Sequence, residues 1–196
     1  RLGLRVGNRG YLDENGSYGA TTLKHRHLRI EPDRIMLRFR AKGGQRVQRT
    51  LKNPKLQRVL SEIDDLPGAD LFTWLDADGH PHPLRSEQVN EYLGEIGGDD
   101  SVTAKTFRTW IGSLEAYRVA LHANGQKLTI KAMAAAAANS LGNTPTIARN
   151  SYIHPKIIAL AELDPQERLQ KIEPAREYRI SGLALEEAML CGFLEM

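Results

Sequence analysis

Between residues 35 and 51 the chain alternates hydrophobic and polar positions with period two. Ile35, Leu37 and Phe39 share one face of Ile35–Arg40, and Arg38 and Arg40 share the other, which predicts a half-buried strand. Lys42-Gly43-Gly44 predicts a turn, and Gln45–Leu51 returns as a second strand. Lys42 is thereby placed at the tip of a β-hairpin, where a long cationic side chain reaches outward. Upstream, the Thr-rich segment Ala20–Ile30 alternates through Leu23, His25, His27 and Arg29 and predicts a further strand, ended by the Glu31-Pro32-Asp33 turn.

Beyond Asn53-Pro54, a helix start, the spacing lengthens. Lys55–Ile63 predicts a helix, and Ser86 starts another that runs through Leu93. In Ala104–Ala123, Phe107, Trp110, Ile111, Leu114, Tyr117 and Leu121 recur at intervals of three and four, the stripe of an amphipathic helix packed on a core. Thr129–Leu141 contains the alanine run and ends at Gly142, a residue suited to the left-handed conformation just past a last turn. Thr144-Pro145 predicts the cap and first turn of a short helix reaching Tyr152. Lys156–Leu163, Pro165–Ile172 and Gly182–Leu194 complete the helices, with Asp164-Pro165 and Ser181 as start signals for the last two. The predicted architecture is α+β and mainly helical, a small N-terminal antiparallel sheet followed by a helical body. No linker divides it. Residues 1–196 read as one domain, β-rich over 1–52 and helical over 53–196.

At 196 residues, with 41% hydrophobic and 26% charged positions, the chain can bury a sizeable core. The single cysteine, Cys191, excludes an internal disulfide and a Cys-x-x-Cys zinc site. No apolar run approaches a membrane span of ~20 residues, and no signal peptide opens the chain, so the compartment reads as cytoplasmic and nucleoid-associated. The chain starts at Arg1 rather than Met, which leads us to expect a fragment. The net charge of +3 conceals strong blocks. Residues 1–60 hold 15 Lys/Arg against 4 Asp/Glu, residues 61–100 hold 1 against 11, and residues 101–156 hold 7 against 1. Two basic segments around an acidic one predict a basic face that attracts phosphate.

Several motifs carry less than they promise. His25 and His27 share a strand face without a third ligand, and His80-Pro81-His82-Pro83 fits an exposed turn. Neither predicts a metal site. Asp76-Ala77-Asp78-Gly79 resembles the start of a calcium loop, but Asp-Gly reads better as a β-turn. No Walker A, nucleophile elbow or Rossmann fingerprint occurs. What remains is a set of cations, Arg5, Lys42 and Arg108, with Asn143 and Tyr152. Singly, each has an ordinary structural reading.

Their order and context resemble the catalytic domain of type IB DNA topoisomerases, in the compact poxvirus-like and bacterial branch. The resemblance is carried by LRVGNRGYLDENGSYGATTLKHRHLRI, IMLRFRAKGG, LPGADLFTWLDADG, SEQVNEYLGEIGG, TAKTFRTWIGSL and LGNTPTIARNSYIHP, from Leu4 to about Ile158. It implies the tyrosine recombinase/type IB topoisomerase catalytic fold. It also implies Tyr152 as nucleophile, Arg5 and Arg108 as the active-site arginines, and Lys42 as general acid. Lys24, Arg26, His27, Arg40, Lys105 and Arg149, within the matching segments, are expected on the DNA. The family often has His where this chain has Asn143, nine residues before the tyrosine. Asn donates a hydrogen bond to a phosphoryl oxygen but carries no charge and shuttles no proton.

The chemistry is coherent without the family. Two arginines stabilise charge on the non-bridging oxygens of a phosphodiester, lysine protonates the leaving 5′ oxygen, and tyrosine attacks phosphorus. The 3′-phosphotyrosine conserves bond energy, so rejoining needs neither ATP nor metal. The expected activity is nicking of one strand of double-stranded DNA, relaxation of supercoils and religation, by a monomer with no cofactor and no membrane partner. Two alternatives stand beside it: a tyrosine recombinase or integrase of the same fold, and a non-catalytic DNA-binding module. The resemblance further implies a smaller N-terminal DNA-clamp domain that is not in this chain.

Overall fold

The structure, a computed structural model, describes residues 2–124 and 126–196. They fall into two compact units, Leu2–Lys105 and Thr106–Met196, and the boundary lies in the first turn of a helix rather than at a linker.

In the first unit Asn8 caps a helix the sequence reading passed over, α1 (Arg9–Asn15). Its Oδ1 accepts the Tyr11 N–H at 3.1 Å, and Gly16 closes the helix in the left-handed region, φ 59°. The predicted hairpin is present as β2 (Arg34–Arg40) and β3 (Arg46–Leu51), joined by a turn at Lys42–Gly44. With β1 (Leu28–Glu31) they form an antiparallel sheet in the order β1-β2-β3, in the register Ile35↔Leu51, Leu37↔Arg49 and Phe39↔Val47. Leu28, Ile35, Leu37 and Phe39 point inward and close a core with Leu23, Leu60 and Leu71. Leu60 comes from α2 (Pro54–Asp64), whose first turn is capped by Asn53.

The expected strand Ala20–Ile30 forms only from Leu28 onward. Its first part folds as two 3₁₀ turns, Ala20–Thr22 and His25–His27. Local side chains claim the backbone there: Thr22 Oγ1 accepts the Gly19 N–H at 2.9 Å, and His27 Nδ1 accepts the Lys24 N–H at 3.0 Å. The Leu23 carbonyl accepts from Leu71 N–H at 2.8 Å instead of joining the sheet. The His-Pro run is likewise more than a turn. Asp76–Gly79 is the bend of a second hairpin, β4 (Thr73–Leu75) against β5 (Pro81–Pro83), with His82 stacked on Trp74 at 4.8 Å. The helix from Ser86, α3, extends to Gly97 before Gly98 ends it, again left-handed.

The second unit is built on α4 (Ala104–His122), α5 (Ile130–Leu141) and α6 (Pro145–Tyr152). Leu114, Tyr117 and Leu121 on α4 face Met133, Ala134, Ala137 and Ala138 on α5. Lys156–Leu163 is not one helix: α7 (Pro155–Ile158) passes into a 3₁₀ turn at Ala159–Ala161. α8 (Pro165–Ile172) starts at Asp164 as predicted. α9 (Leu185–Glu195) starts three residues later than expected, because Glu187 reaches back to the Ala184 N–H at 2.9 Å and sets the cap there rather than at Ser181. Met189, Leu190 and Phe193 of α9 join the core, Phe193 lying 5.2 Å from the Tyr117 ring. The arrangement is thus mainly helical, with a small antiparallel sheet in the first unit that is followed along the chain by most of the helices. No helix among the described residues is long and apolar enough to cross a membrane.

Candidate active site

In the first unit the backbone around Arg5 is held by contact with residues 19–21. The Arg5 carbonyl accepts from Ala20 N–H at 2.8 Å, and the Val6 carbonyl accepts from Thr21 N–H at 2.7 Å and Thr21 Oγ1 at 2.9 Å. Glycine is required at the crossing: a Cβ at Gly19 would come within 2.5 Å of Gly7 Cα, and Gly7 itself has φ 97°. Arg5 is thereby fixed on the wall of a cavity of about 500 Å³, lined also by Asn8, Tyr11, Glu14, Tyr18 and Lys42. Lys42 projects from the exposed turn between β2 and β3, as its sequence context predicted, and its Nζ lies 4.7 Å from the centre of the Tyr11 ring. That cation–π contact orients a flexible side chain without neutralising it. Two of the expected catalytic cations, Arg5 and Lys42, therefore line one cavity, with the Glu14 carboxylate also on its wall.

The cations expected on the DNA differ in what they offer. Arg40 is exposed at the end of β2, and Arg26 is exposed while donating to the Tyr18 hydroxyl at 2.8 Å. Lys105 and Arg149 are exposed on α4 and α6. Lys24 is held at 2.8 Å by Asp70, which also pairs with Arg9, so its charge is answered within the fold. His27 departs furthest from expectation. It is buried, its ring 4.3 Å from that of Tyr18, with Nδ1 taken up by the Lys24 N–H. Burial, then the cations Arg26 and Lys24, lower its pKa below 6.5. It is a neutral packing residue rather than a cationic contact.

In the second unit Arg108 is buried on α4, only 4% exposed. Its Nη2 donates to the carbonyl of Leu141, the last residue of α5, at 3.2 Å. The guanidinium lies 4.8 Å from the centre of the Tyr152 ring. Gly142, left-handed at φ 60°, turns the chain so that Asn143 N–H donates back to Ala138 at 3.0 Å. Asn143 is then followed directly by Thr144, whose Oγ1 caps α6 at Ile147 N–H, and by Pro145 in the first turn. Tyr152, the last residue of α6, is half-buried. Arg108, Asn143 and Tyr152 are thus tied to one helix–turn–helix segment, and the predicted cap at Thr144-Pro145 is what spaces Asn143 from the tyrosine.

Arg108 and Tyr152 are thus brought together, with Asn143 just ahead of the helix that ends at Tyr152. The model of the family described as "Eukaryotic DNA topoisomerase I, catalytic core" matches residues 1–173. The chain belongs to this family. A relative from Acanthamoeba polyphaga mimivirus, named DNA topoisomerase 1B, is 30% identical over 176 residues, which cover 83% of this chain and 52% of the relative. The chain spans about half the length of that curated relative.

Three site features of this topoisomerase-family chain escaped the sequence reading. Tyr11 beneath Lys42 belongs to the unrecognised helix α1, whose Asn8 cap and Gly16 stop were visible signals. Gly19 against Gly7 is a contact between two loops, and neither glycine alone announces it. The approach of Tyr152 to Gly112 and of His154 to Ser113 has no sequence signature at all. Asp76, Asp78 and His80 also lie close enough together to share an ion. Asp76 is already occupied, however, accepting from Asp78 N–H at 3.1 Å, His80 N–H at 2.8 Å and His82 Nε2 at 2.7 Å, which makes it the organiser of the β4–β5 bend.

Proposed function

We propose that this chain is the catalytic part of a type IB DNA topoisomerase, with the fold shared by tyrosine recombinases and acting as a monomer on double-stranded DNA. The observation that carries the reading is the Arg108 guanidinium against the Tyr152 ring, 4.8 Å away. A tyrosine ring so placed has positive charge beside it, which supports an anionic phosphodiester being held there.

The Tyr152 oxygen attacks phosphorus and forms the 3′-phosphotyrosyl bond, while the bond to the 5′ oxygen breaks. The tyrosine proton passes to solvent, and Lys42 supplies a proton to the departing 5′ oxygen. Arg5 and Arg108 offer charge-assisted hydrogen bonds to the non-bridging oxygens, and Asn143 offers a neutral one. One ester replaces another, so the strand is resealed by the reverse reaction without ATP once torsion has relaxed. Arg26, Arg40, Lys105 and Arg149 contact the DNA backbone.

The test is Tyr152→Phe on a duplex substrate. The parent yields a covalent protein–DNA adduct on denaturing gels and relaxes a supercoiled plasmid that contains no special site. The variant yields neither and keeps non-covalent DNA affinity within about twofold. An adduct of undiminished yield from the variant refutes Tyr152 as nucleophile. Adduct formation confined to one recognition sequence, without relaxation, would point to a recombinase.

A further inference from the structure

The geometry points to Gly112 and Ser113 as positioning residues that set the tyrosine for attack. The inference rests on the reading of Tyr152 as nucleophile. It assigns the task of aiming that nucleophile to two small residues of α4 that have no part of their own in the proposed chemistry.

Arg108 and Gly112 are four residues apart, so they lie on one face of α4, one turn after the other. The guanidinium of Arg108 underlies the Tyr152 ring. Gly112 underlies the Tyr152 backbone: a Cβ there would overlap the Tyr152 carbonyl oxygen and come within 3.0 Å of its Cβ. The next residue, Ser113, is 2% exposed, and its Oγ accepts the His154 N–H at 3.0 Å. The backbone of the tyrosine is therefore clamped on either side of its turn. The α6 helix arrives from Thr144, and the chain leaves through His154, whose amide is held by α4.

This matters because Tyr152 is the last residue of α6, where the final carbonyls have no partner within the helix and the chain is least constrained. Without the contacts to α4, the terminal turn frays and the hydroxyl sweeps through a range of positions. The absent side chain at residue 112 lets the tyrosine backbone sit directly on the helix that carries Arg108. Ring, cation and backbone then share one rigid support. Displacement of a reacting group by about 1 Å costs on the order of 100-fold in rate.

The experiment compares Gly112→Ala and Ser113→Ala with the parent in single-turnover cleavage of a suicide duplex at saturating DNA. Binding is measured by fluorescence anisotropy and folding by thermal melting. Alanine is a better helix former than glycine or serine, so a position with no task beyond helix formation would gain stability and keep its rate. The expected result is a cleavage rate about 100-fold lower for Gly112→Ala and about tenfold lower for Ser113→Ala, which strands a partly buried amide. DNA affinity should stay within twofold. The same defects should persist on a substrate whose leaving 5′ oxygen is replaced by sulfur, since the fault lies with the nucleophile and not with the acid.

Parental cleavage rates for both variants overturn the proposal, as does recovery of the rate on the sulfur substrate. If Gly112→Ala shows no melting transition, Ser113→Ala decides alone, because it removes one atom and adds none. Tyr152→Phe run in parallel separates the two ideas. Loss of its adduct with full activity in both α4 variants refutes the positioning role only, whereas an adduct from Tyr152→Phe refutes the nucleophile itself.

Discussion

Tyr117 offers a quantitative test of the core that supports the site, because its ring and its hydroxyl make opposite contributions. The residue lies on α4, about two and a half turns beyond Arg108, and has no exposed surface. Its ring packs 5.2 Å from Phe193, but its hydroxyl finds no hydrogen-bond partner among the described residues. A buried unsatisfied group costs about 1–3 kcal/mol. Tyr117→Phe keeps the ring, deletes that cost and should raise stability at pH 7 by about 1 kcal/mol. Burial also pushes the phenol pKa from 10.0 up to about 12, partly opposed by the Arg176 charge. The folded-state value is raised, so the associated stability is intact below pH 10 and is lost as pH rises towards 12. Over that window the unfolded chain ionises Tyr117 while the folded chain does not. Each pKa unit is worth about 1.4 kcal/mol, and by pH 12, where the folded phenol is half ionised, the parent should therefore lose roughly 2 kcal/mol that the variant retains. Urea unfolding of both proteins from pH 7 to 12 cancels the other titrating groups in the difference. Two results would refute the reasoning: Tyr117→Phe less stable than the parent at pH 7, or two stability curves that run parallel above pH 10.

Two further outcomes bear on the chemistry. Lys42→Ala should slow cleavage of ordinary DNA strongly but lose most of its defect when the leaving 5′ oxygen is replaced by sulfur, since a thiolate leaves unprotonated; equal defects on both substrates would reduce Lys42 to an electrostatic contact. Asn143→Ala should cut single-turnover cleavage by about 10²–10³ and Asn143→His should retain much of the rate, because imidazole presents an N–H from a similar place; a parental rate for Asn143→Ala would make the residue structural.

Legibility in the sequence followed the range of the interaction that fixes each element. The hairpin that carries Lys42 is specified by alternation and two glycines, and it forms in the predicted place. The cap that begins α6 is specified by Thr144-Pro145, and it too forms as read. The Thr-rich segment 20–27 has strand composition, yet Thr22, His27 and the Leu23–Leu71 contact divert its backbone into turns. Two of those are local side-chain choices, and the third spans 48 residues, beyond the reach of any window of periodicity. α1 was missed for another reason: seven residues between Asn8 and Gly16 contain no buried side chain, so no apolar stripe marks them.

In the proposed reaction, the same distinction separates the residues assigned to react from those assigned to aim them. Arg5, Lys42, Arg108 and Tyr152 are long polar side chains whose chemistry can be read from their type and order. Gly112 and Ser113 act by what they omit or accept, and inside the amphipathic stripe of α4 they look like ordinary helix positions. Only the placement of Tyr152 and His154, 40 and 41 residues further along the chain, gives them a meaning. The reactive set can thus be inherited as a pattern of letters. The proposed precision of attack rests on the close approach of Tyr152 to α4, where a methyl group added at Gly112 would meet the Tyr152 carbonyl.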